Sequence, residues 1–464
     1  MKKTLFGTCA ALALATTPAQ AGPALEALMT LFPADASVSY ETEAVSGMDE
    51  DYTGLQISYG DGLTRFDQVA LSLNPTRLSL LGNGLHLTDS NGKIVSVANF
   101  GTDLPLRLID LKDTPDTDLC DALSDPLRVR AEGIDFNGSG RVETVSLETR
   151  MRDPQGTCVL SLEQVMTGLD IVQGRDGGLQ VARQEIRMTY PALPSLPDQP
   201  TGELYGSEIS ASGISIFIDG VQQARIEQVR ASDQYDADSG LGLVAAGFNE
   251  HLGALQRAAS RMASPDLQLP YADLWNGARE VNANATVAVT GLEITGPALS
   301  DLSPVPGLLA SGSRFDLSLS LNKAEELFRI GARFDGSDSL LADLATELRM
   351  EAADPSFNAL SPRSLIMAAP LSLVSGSVEL SDRGLGEGLE TFLGSDPYLL
   401  ISPALSGMIG AGNAELVSGW VADARNGSVA RFAAAPPNPI PVLMLGMLAL
   451  GDWTSLGPML NPDP

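Results

Sequence analysis

Leu127-Arg-Val-Arg-Ala-Glu-Gly-Ile-Asp-Phe136, Asn137-Gly-Ser-Gly140 and Arg141-Val-Glu-Thr-Val-Ser-Leu-Glu-Thr-Arg-Met151 follow one another without a break. Apolar and polar residues alternate loosely at period two on both sides of an Asn-Gly pair. Both residues of that pair tolerate positive φ, so the stretch predicts a β-hairpin. Inside it, Gly133-Ile-Asp-Phe136 has the form glycine, apolar, any residue, apolar. The same form recurs at Gly54-Leu-Gln-Ile57, Gly84-Leu-His-Leu87, Gly168-Leu-Asp-Ile171, Gly213-Ile-Ser-Ile216 and Gly291-Leu-Glu-Ile294.

In five of these six a turn pair follows: Asp61-Gly62, Asn91-Gly92, Asn137-Gly138, Asp176-Gly177 and Asp219-Gly220. A second alternating segment then begins, such as Val69–Leu73, Lys93–Val97 or Ala224–Val229. The starts lie 30, 49, 35, 45 and 78 residues apart, too uneven for a strict solenoid. They fit successive antiparallel hairpins whose strands have one apolar and one polar edge, hence a sheet with two unlike faces.

Helical spacing interrupts the pattern. Gly22–Phe32 is a short apolar-rich helix candidate. Leu241–Ala263 carries Phe248, Leu252, Leu255, Ala259 and Met262 at steps of four and three, predicting a central amphipathic helix. Strands resume with Ala285–Ile294, Phe315–Leu321, Phe328–Phe334 and Leu371–Leu380. Gly384–Leu393, Pro397–Met408 and Glu415–Ala424 predict a helical last quarter, and the apolar run Ile440–Leu450 reads as a further helix packed on the core. The expected class is α+β and strand-dominated: antiparallel hairpins in an extended or curved sheet, with a central amphipathic helix and a helical C-terminal quarter. The expected boundaries are a signal peptide over 1–21, a hairpin-rich domain over 22–263, a linker over 264–280 and a second β-rich part over 281–464.

Lys2 and Lys3, the apolar run Leu5–Ala15, and Pro18-Ala-Gln-Ala21 have the three regions of a secretory signal peptide, with cleavage expected after Ala21. The apolar runs at Leu5–Ala15 and Ile440–Leu450 are each too short to span a bilayer, so no transmembrane helix is expected after cleavage. The location expected is periplasmic or secreted. Among 464 residues, 29 Lys and Arg stand against 58 Asp and Glu, a formal charge of −29. Such a surface excludes a general nucleic-acid binder and disfavours docking on anionic headgroups, since both need basic patches.

Cleavage leaves two cysteines, Cys120 and Cys158, an even number in an oxidising compartment, which favours one disulfide. Their midpoint is 139, beside the Asn-Gly turn, so a hairpin whose paired numbers sum to 278 would set them face to face. No Cys-x-x-Cys occurs, which removes thiol redox catalysis.

Residues suited to catalysis are sparse. His86 and His251 are the only histidines, too few for a zinc site with both cysteines paired. No Gly-x-Ser-x-Gly, His-Glu-x-x-His or phosphate-binding loop is present. Asp113, Asp116, Asp118 and Asp121 cluster around Cys120. Asp233, Asp236 and Asp238, before Ser239-Gly240, faintly echo a calcium loop without its downstream Glu. Solvated loops are the ordinary reading of both clusters, and no cofactor is expected.

Ser377-Val-Glu-Leu-Ser-Asp-Arg-Gly-Leu385, Asn426-Gly-Ser-Val-Ala430, Ala435-Pro-Pro-Asn-Pro-Ile-Pro441 and Pro458-Met-Leu-Asn-Pro-Asp-Pro464, together with the leader, resemble uncharacterised secreted families of Rhodobacter-type alphaproteobacteria. That resemblance implies export and no transferable activity. The strand grammar is also similar to AsmA-type envelope proteins, which implies lipid carried along an apolar groove.

The reading that follows is an exported, non-catalytic β-rich protein of the bacterial envelope that binds or scaffolds, its partner an envelope protein or a lipid. The alternative is transfer of a lipid or other hydrophobic ligand along an apolar sheet face. Its candidate stripe residues are Leu55, Ile57, Val69, Leu71, Leu73, Leu85, Leu87, Phe315, Leu317 and Leu319. A hydrolase using loop carboxylates ranks last.

Overall fold

The computed structural model describes residues 22–60, 62–88, 94–107, 124–152, 159–173, 177–191, 204–236, 282–294, 296, 312–322, 325–336, 339–350, 371–397, 399, 411–441, 444 and 462–463. Helix α1 (Pro23–Met29) comes first, followed by short strands β1 (Ser37–Ser39) and β2 (Thr42–Ser46). The long strands of the first half are β3 (Asp49–Tyr59), β4 (Gly62–Leu73), β5 (Arg77–Thr88), β6 (Ile94–Pro105), β7 (Leu127–Asp135), β8 (Gly140–Arg152) and β9 (Val159–Gln173). Then come β10 (Gly177–Pro191), β11 (Leu204–Ile218), β12 (Val221–Asp236), β13 (Asn282–Ile294), β14 (Ser313–Asn322), β15 (Leu327–Asp335), β16 (Leu340–Met350) and β17 (Leu371–Asp382). The C-terminal part holds α2 (Leu385–Leu393), α3 (Ala411–Asp423), β18 (Ala430–Ala434), β19 (Ile440–Pro441) and β20 (Pro462–Asp463).

All twenty strands belong to one sheet. From β3 to β18 every strand pairs antiparallel with the next in sequence, an uninterrupted meander. β1 and β2 share one edge of β3, and β19 and β20 finish the other end. The sheet stays open rather than closing into a barrel. At about 4.8 Å per strand, the fifteen steps from β3 to β18 cover on the order of 70 Å.

Turn chemistry sets the meander. Asn137 and Gly138 take φ of 55° and 74°, and Asp219 and Gly220 take 51° and 70°, the left-handed pairs that their sequence predicts. Paired numbers in β7 and β8 sum to 276, as in Asp135↔Arg141, rather than the expected 278. Cys120 and Cys158 lie outside the described residues. The strands that follow them, β7 and β9, run in the same direction, so both start at one end of the sheet.

Two expectations about helices are not borne out. The C-terminal quarter is not predominantly helical: α2 and α3 alternate with β17, β18 and β19, and Ile440 opens a strand paired to Leu373. The sequence pattern misleads there because Gly and Ala permit helix, while β17 offers an open edge that an extended segment can pair. The central helix over 241–263 lies outside the described residues and is not borne out. The expected linker, 264–280, lies outside the described residues; β12 and β13 on either side of it pair with each other from Ala224↔Ile294 to Tyr235↔Ala283.

Candidate functional site

The six repeated glycines fall on alternate strands, β3, β5, β7, β9, β11 and β13, and share one conformation with φ between 61° and 64°. Register aligns them in a single line across the sheet. Gly54 and Gly84 flank Asp67, Gly84 and Gly133 flank Ala98, Gly133 and Gly168 flank Glu143, Gly168 and Gly213 flank Ala182, and Gly213 and Gly291 flank Glu227. A methyl group at these glycines would overlap the neighbour's side chain: Glu41 at Gly54, Asp67 at Gly84, Ala98 at Gly133. Glycine is therefore required twice, by φ and by space.

The crease changes which residues face which way. On β3, Glu50 and Tyr52 are buried before Gly54, and Leu55 and Ile57 after it; the parity slips by one. On β4, Thr64 and Phe66 are buried before Asp67, Val69 and Leu71 after it. On β8, exposed Arg141 and Glu143 give way to exposed Ser146, Glu148 and Arg150. Because every strand slips at the same line, one face remains apolar on both sides of it.

On that face, one transverse row passes from Glu50 through Leu71, Leu80, Thr102, Val129, Leu147, Gln164, Ile186, Ile209 and Ala231. It continues through Val287, Leu317, Ala332, Leu344 and Val378 to Phe432. Only Glu50, Thr102 and Gln164 are not hydrocarbon. The neighbouring row carries Val69, Phe100, Val145, Met166, Val229, Phe315 and Phe334 among its members. Beyond the crease lie Leu55, Phe66, Leu85, Val97, Ile134 and Val142, of which Leu55, Phe66, Val97 and Val142 are buried.

Cover on this face is uneven. α1 sits on β3, β4 and β5, and Ala24, Leu25 and Leu28 join Leu55, Ile57, Phe66, Val69, Leu71, Leu78 and Leu80 in a buried cluster. At the other end Trp420 of α3 meets Phe432 of β18 edge-on at 6.1 Å. Between them, among the described residues, no helix packs on β6–β16 with more than isolated contacts. There Val129, Leu147, Ile186, Ile209, Val287 and Leu317 of the transverse row are only partly buried, and Phe315 and Leu344 are each 37% exposed, while Val97, Val142, Met151, Val181, Ala224 and Leu348 of the same face are buried.

The opposite face carries charge. Asp103, Arg128, Glu148, Glu163, Arg187 and Glu208 form one continuous cross-strand run. Arg128 Nε donates to Glu148 at 2.9 Å, and Arg187 Nε to Glu163 at 3.2 Å. These hydrogen bonds to the carboxylates, with the nearby negative charge, raise the pKa of both guanidinium groups. Arg183 and Arg329 hold the Glu185 and Glu347 carboxyls below their usual range. A cavity of about 770 Å³ lies on this face, floored by Leu81, Gly101 and Val165 and rimmed by Arg128, Arg130, Glu132, Glu148 and Glu163. On its rim Arg128 pairs with Glu148 and Arg130 with Glu132, while Glu163 pairs with Arg187 outside it, so the hollow faces water with an excess of acidic groups.

The predicted stripe residues divide between the two regions. Leu55, Ile57, Val69 and Leu71 are buried in the cluster beneath α1, with Leu73 and Leu85 packed against it, and Leu87 is exposed. Phe315, Leu317 and Leu319 belong to the open stretch on β14. Asp233 and Asp236 lie within β12, paired to Ser207 and Leu204, so their backbone is strand rather than loop; Asp238 lies outside the described residues. His86 is 3.8 Å from Asp67 on the polar side of the crease. Among the described residues no group of three His, Cys, Asp or Glu could hold a metal ion, and no helix is long and apolar enough to cross a membrane. Sequence reasoning passed over Glu50, whose only signal is a carboxylate where strand alternation demands an apolar residue. No protein-family model matches the chain, and no curated protein matches it.

Proposed function

We propose that the protein binds lipid acyl chains, or a ligand of like hydrophobicity, along the apolar face of β6–β16. One observation supports this above the rest: a nearly unbroken row of hydrocarbon side chains continues in register across the meander, and from Val129 to Leu344 that central row is only partly buried or exposed. Soluble proteins seldom leave contiguous apolar area larger than a few hundred Å² without a use for it. A face tens of ångströms long exceeds what one fatty acid needs, which suits several chains or passage along the row. Binding of this kind needs no nucleophile or metal, in keeping with a non-catalytic role. An exported envelope protein, as the leader suggests, would meet such ligands at a membrane surface.

The test is native mass spectrometry of protein purified from the periplasm, followed by denaturing lipid extraction. Lipid at a defined stoichiometry supports the reading. A clean apo mass sinks the tight-carrier form and leaves the envelope scaffold ahead. A Leu317→Asp variant locates the site, since a charge on the open row should release the ligand while leaving the sheet intact.

A further inference from the structure

Helix α1 begins at Gly22, whose own side cannot cap it, and the cap comes from β3 instead. Glu50 accepts hydrogen bonds from the backbone N–H of Ala24 at 2.6 Å and of Leu25 at 2.9 Å, and from the Tyr52 hydroxyl at 2.9 Å. Both Glu50 and Tyr52 are 1% exposed. Among the described residues no Arg, Lys or His is paired with Glu50. A carboxylate buried without a cation is costly, and three neutral donors offset that cost only partly.

Gly22 supplies the missing group. It is buried, the Glu50 carboxylate lies so close that a Cβ on Gly22 would overlap it, and the Gly22 backbone hydrogen-bonds the Tyr52 phenol. Gly22 is also the residue after the expected cleavage point. Hydrolysis of the Ala21–Gly22 amide consumes one water, leaves Ala21 as a carboxylate and turns the Gly22 nitrogen from an amide into an α-ammonium.

We propose that Glu50 is the receptor for this newly made α-ammonium, so that removal of residues 1–21 forms a buried ion pair that locks α1 over β3–β5. The proposal rests on cleavage after Ala21 and is independent of whether lipid binds. Before cleavage the site holds a carboxylate and an amide; afterwards it holds opposite charges in a dry setting, which attract far more strongly than on the surface. The ion pair adds to the packing of α1 that the uncleaved chain already shows, fastening that end of the apolar face more firmly in the matured chain. The other ionisable groups near it are Tyr52 on β3, Glu43 on β2, Tyr40 beside β2 and Glu26 on α1.

Two chains released from a cleavable fusion provide the test, one starting at Gly22 and one at Ala21, each with Glu50 and with Glu50→Gln. The α-amine is titrated by its labelling rate with an amine-reactive reagent, and each chain is melted. In the Gly22 chain the α-amine should titrate above its ordinary value of about 8, with labelling at neutral pH slowed at least ~10-fold relative to the Ala21 chain and a higher Tm. Burial without a pair would instead depress that titration, because desolvation disfavours the charged form. The advantage should vanish in Glu50→Gln. If that variant does not fold, the Gly22 and Ala21 chains, which both keep Glu50, still decide the matter. Equal titration and equal melting overturn the proposal, as does an advantage that survives Glu50→Gln. The intact mass of the exported chain tests the cleavage step separately: a start at any residue but Gly22 overturns the maturation step even if the recombinant pair forms.

Discussion

The sheet end beneath α1 and the middle of the sheet use the same hydrocarbon rows to opposite ends. At the first end Leu55 and Ile57 are fully buried and Leu71 is 1% exposed. Ten or more strands further on, residues of the same alternation, Phe315 on β14 and Leu344 on β16, are more than a third exposed. Sequence pattern alone does not separate a core from a binding surface; what separates them is whether a second layer arrives. The packed end anchors the fold by burial, whereas the middle must be held by its hydrogen-bonded ladders, its crease and its charged outer face.

The largest effect should come from the packed end. Leu55→Ala removes a fully buried side chain from the buried cluster beneath α1 and should cost about 2–5 kcal/mol. Leu317→Ala, on the open row, should cost about 1 kcal/mol or less, because water already reaches that site. Urea midpoints of the two variants check the contrast. Equal losses would mean that the middle is covered after all, and the lipid reading would fall with the contrast.

Next comes the crease. Gly133→Ala forces a methyl group into φ of 63° and against the Ala98 Cβ, which cannot move without its strand. A cost of about 2–4 kcal/mol is expected from strain and overpacking together. Gly138→Ala in the adjoining turn has φ of 74° but open space around it, and should cost only about 1 kcal/mol. A gap between these two variants in chemical denaturation would place the crease among the features that hold the middle. Equal losses would reduce the crease to a local preference for glycine.

Much of this layout was legible in the sequence. The Asn137-Gly138 and Asp219-Gly220 turns announce hairpins because both positions need positive φ, and the spacing of the six glycines marks every second strand. Strand length was not legible. The one-residue slip at the crease breaks period two between Val142 and Val145, so the alternation over Arg141–Met151 reads only loosely, where β8 is a single strand of 13 residues. The unity of the sheet was hidden as well, because cross-strand register between β12 and β13 leaves no local mark. The division of the stripes into a packed set and an open set depends on where α1 lands, and Glu50 fixes that position from a distance of more than twenty residues.

A smaller effect separates the two regions by pH. Burial, with a hydrogen bond to Glu43, pushes Tyr40 up to about 12, and burial with a hydrogen bond to Glu50 raises Tyr52 further. For each phenol the folded state holds its proton to higher pH than the unfolded chain, whose value is about 10. Their stabilising contribution is therefore complete below pH ~10 and is lost as the pH rises toward the folded values. Both tyrosines belong to the packed end, where their rings meet 4.9 Å apart. Alkali between pH ~10 and ~12 should thus loosen α1 and expose Leu25 and Leu28 before the middle strands lose protection, which amide exchange resolved by residue would show. Simultaneous loss across β3 and β9 would indicate one cooperative unit.

The smallest effect is expected on the charged face. Arg128→Gln breaks the bond to Glu148, yet the guanidinium lies in water and the pair is screened by salt. The urea midpoint should stay within error of the parent, and ligand retention should not change, since Arg128 projects from the face opposite the hydrocarbon rows. That outcome sharpens the contrast between regions by assigning the middle's cohesion to ladder and crease. A clear drop would instead show that the run from Asp103 through Arg128 to Glu148 acts as a network, with the outer face supplying to the open middle what α1 supplies to the packed end.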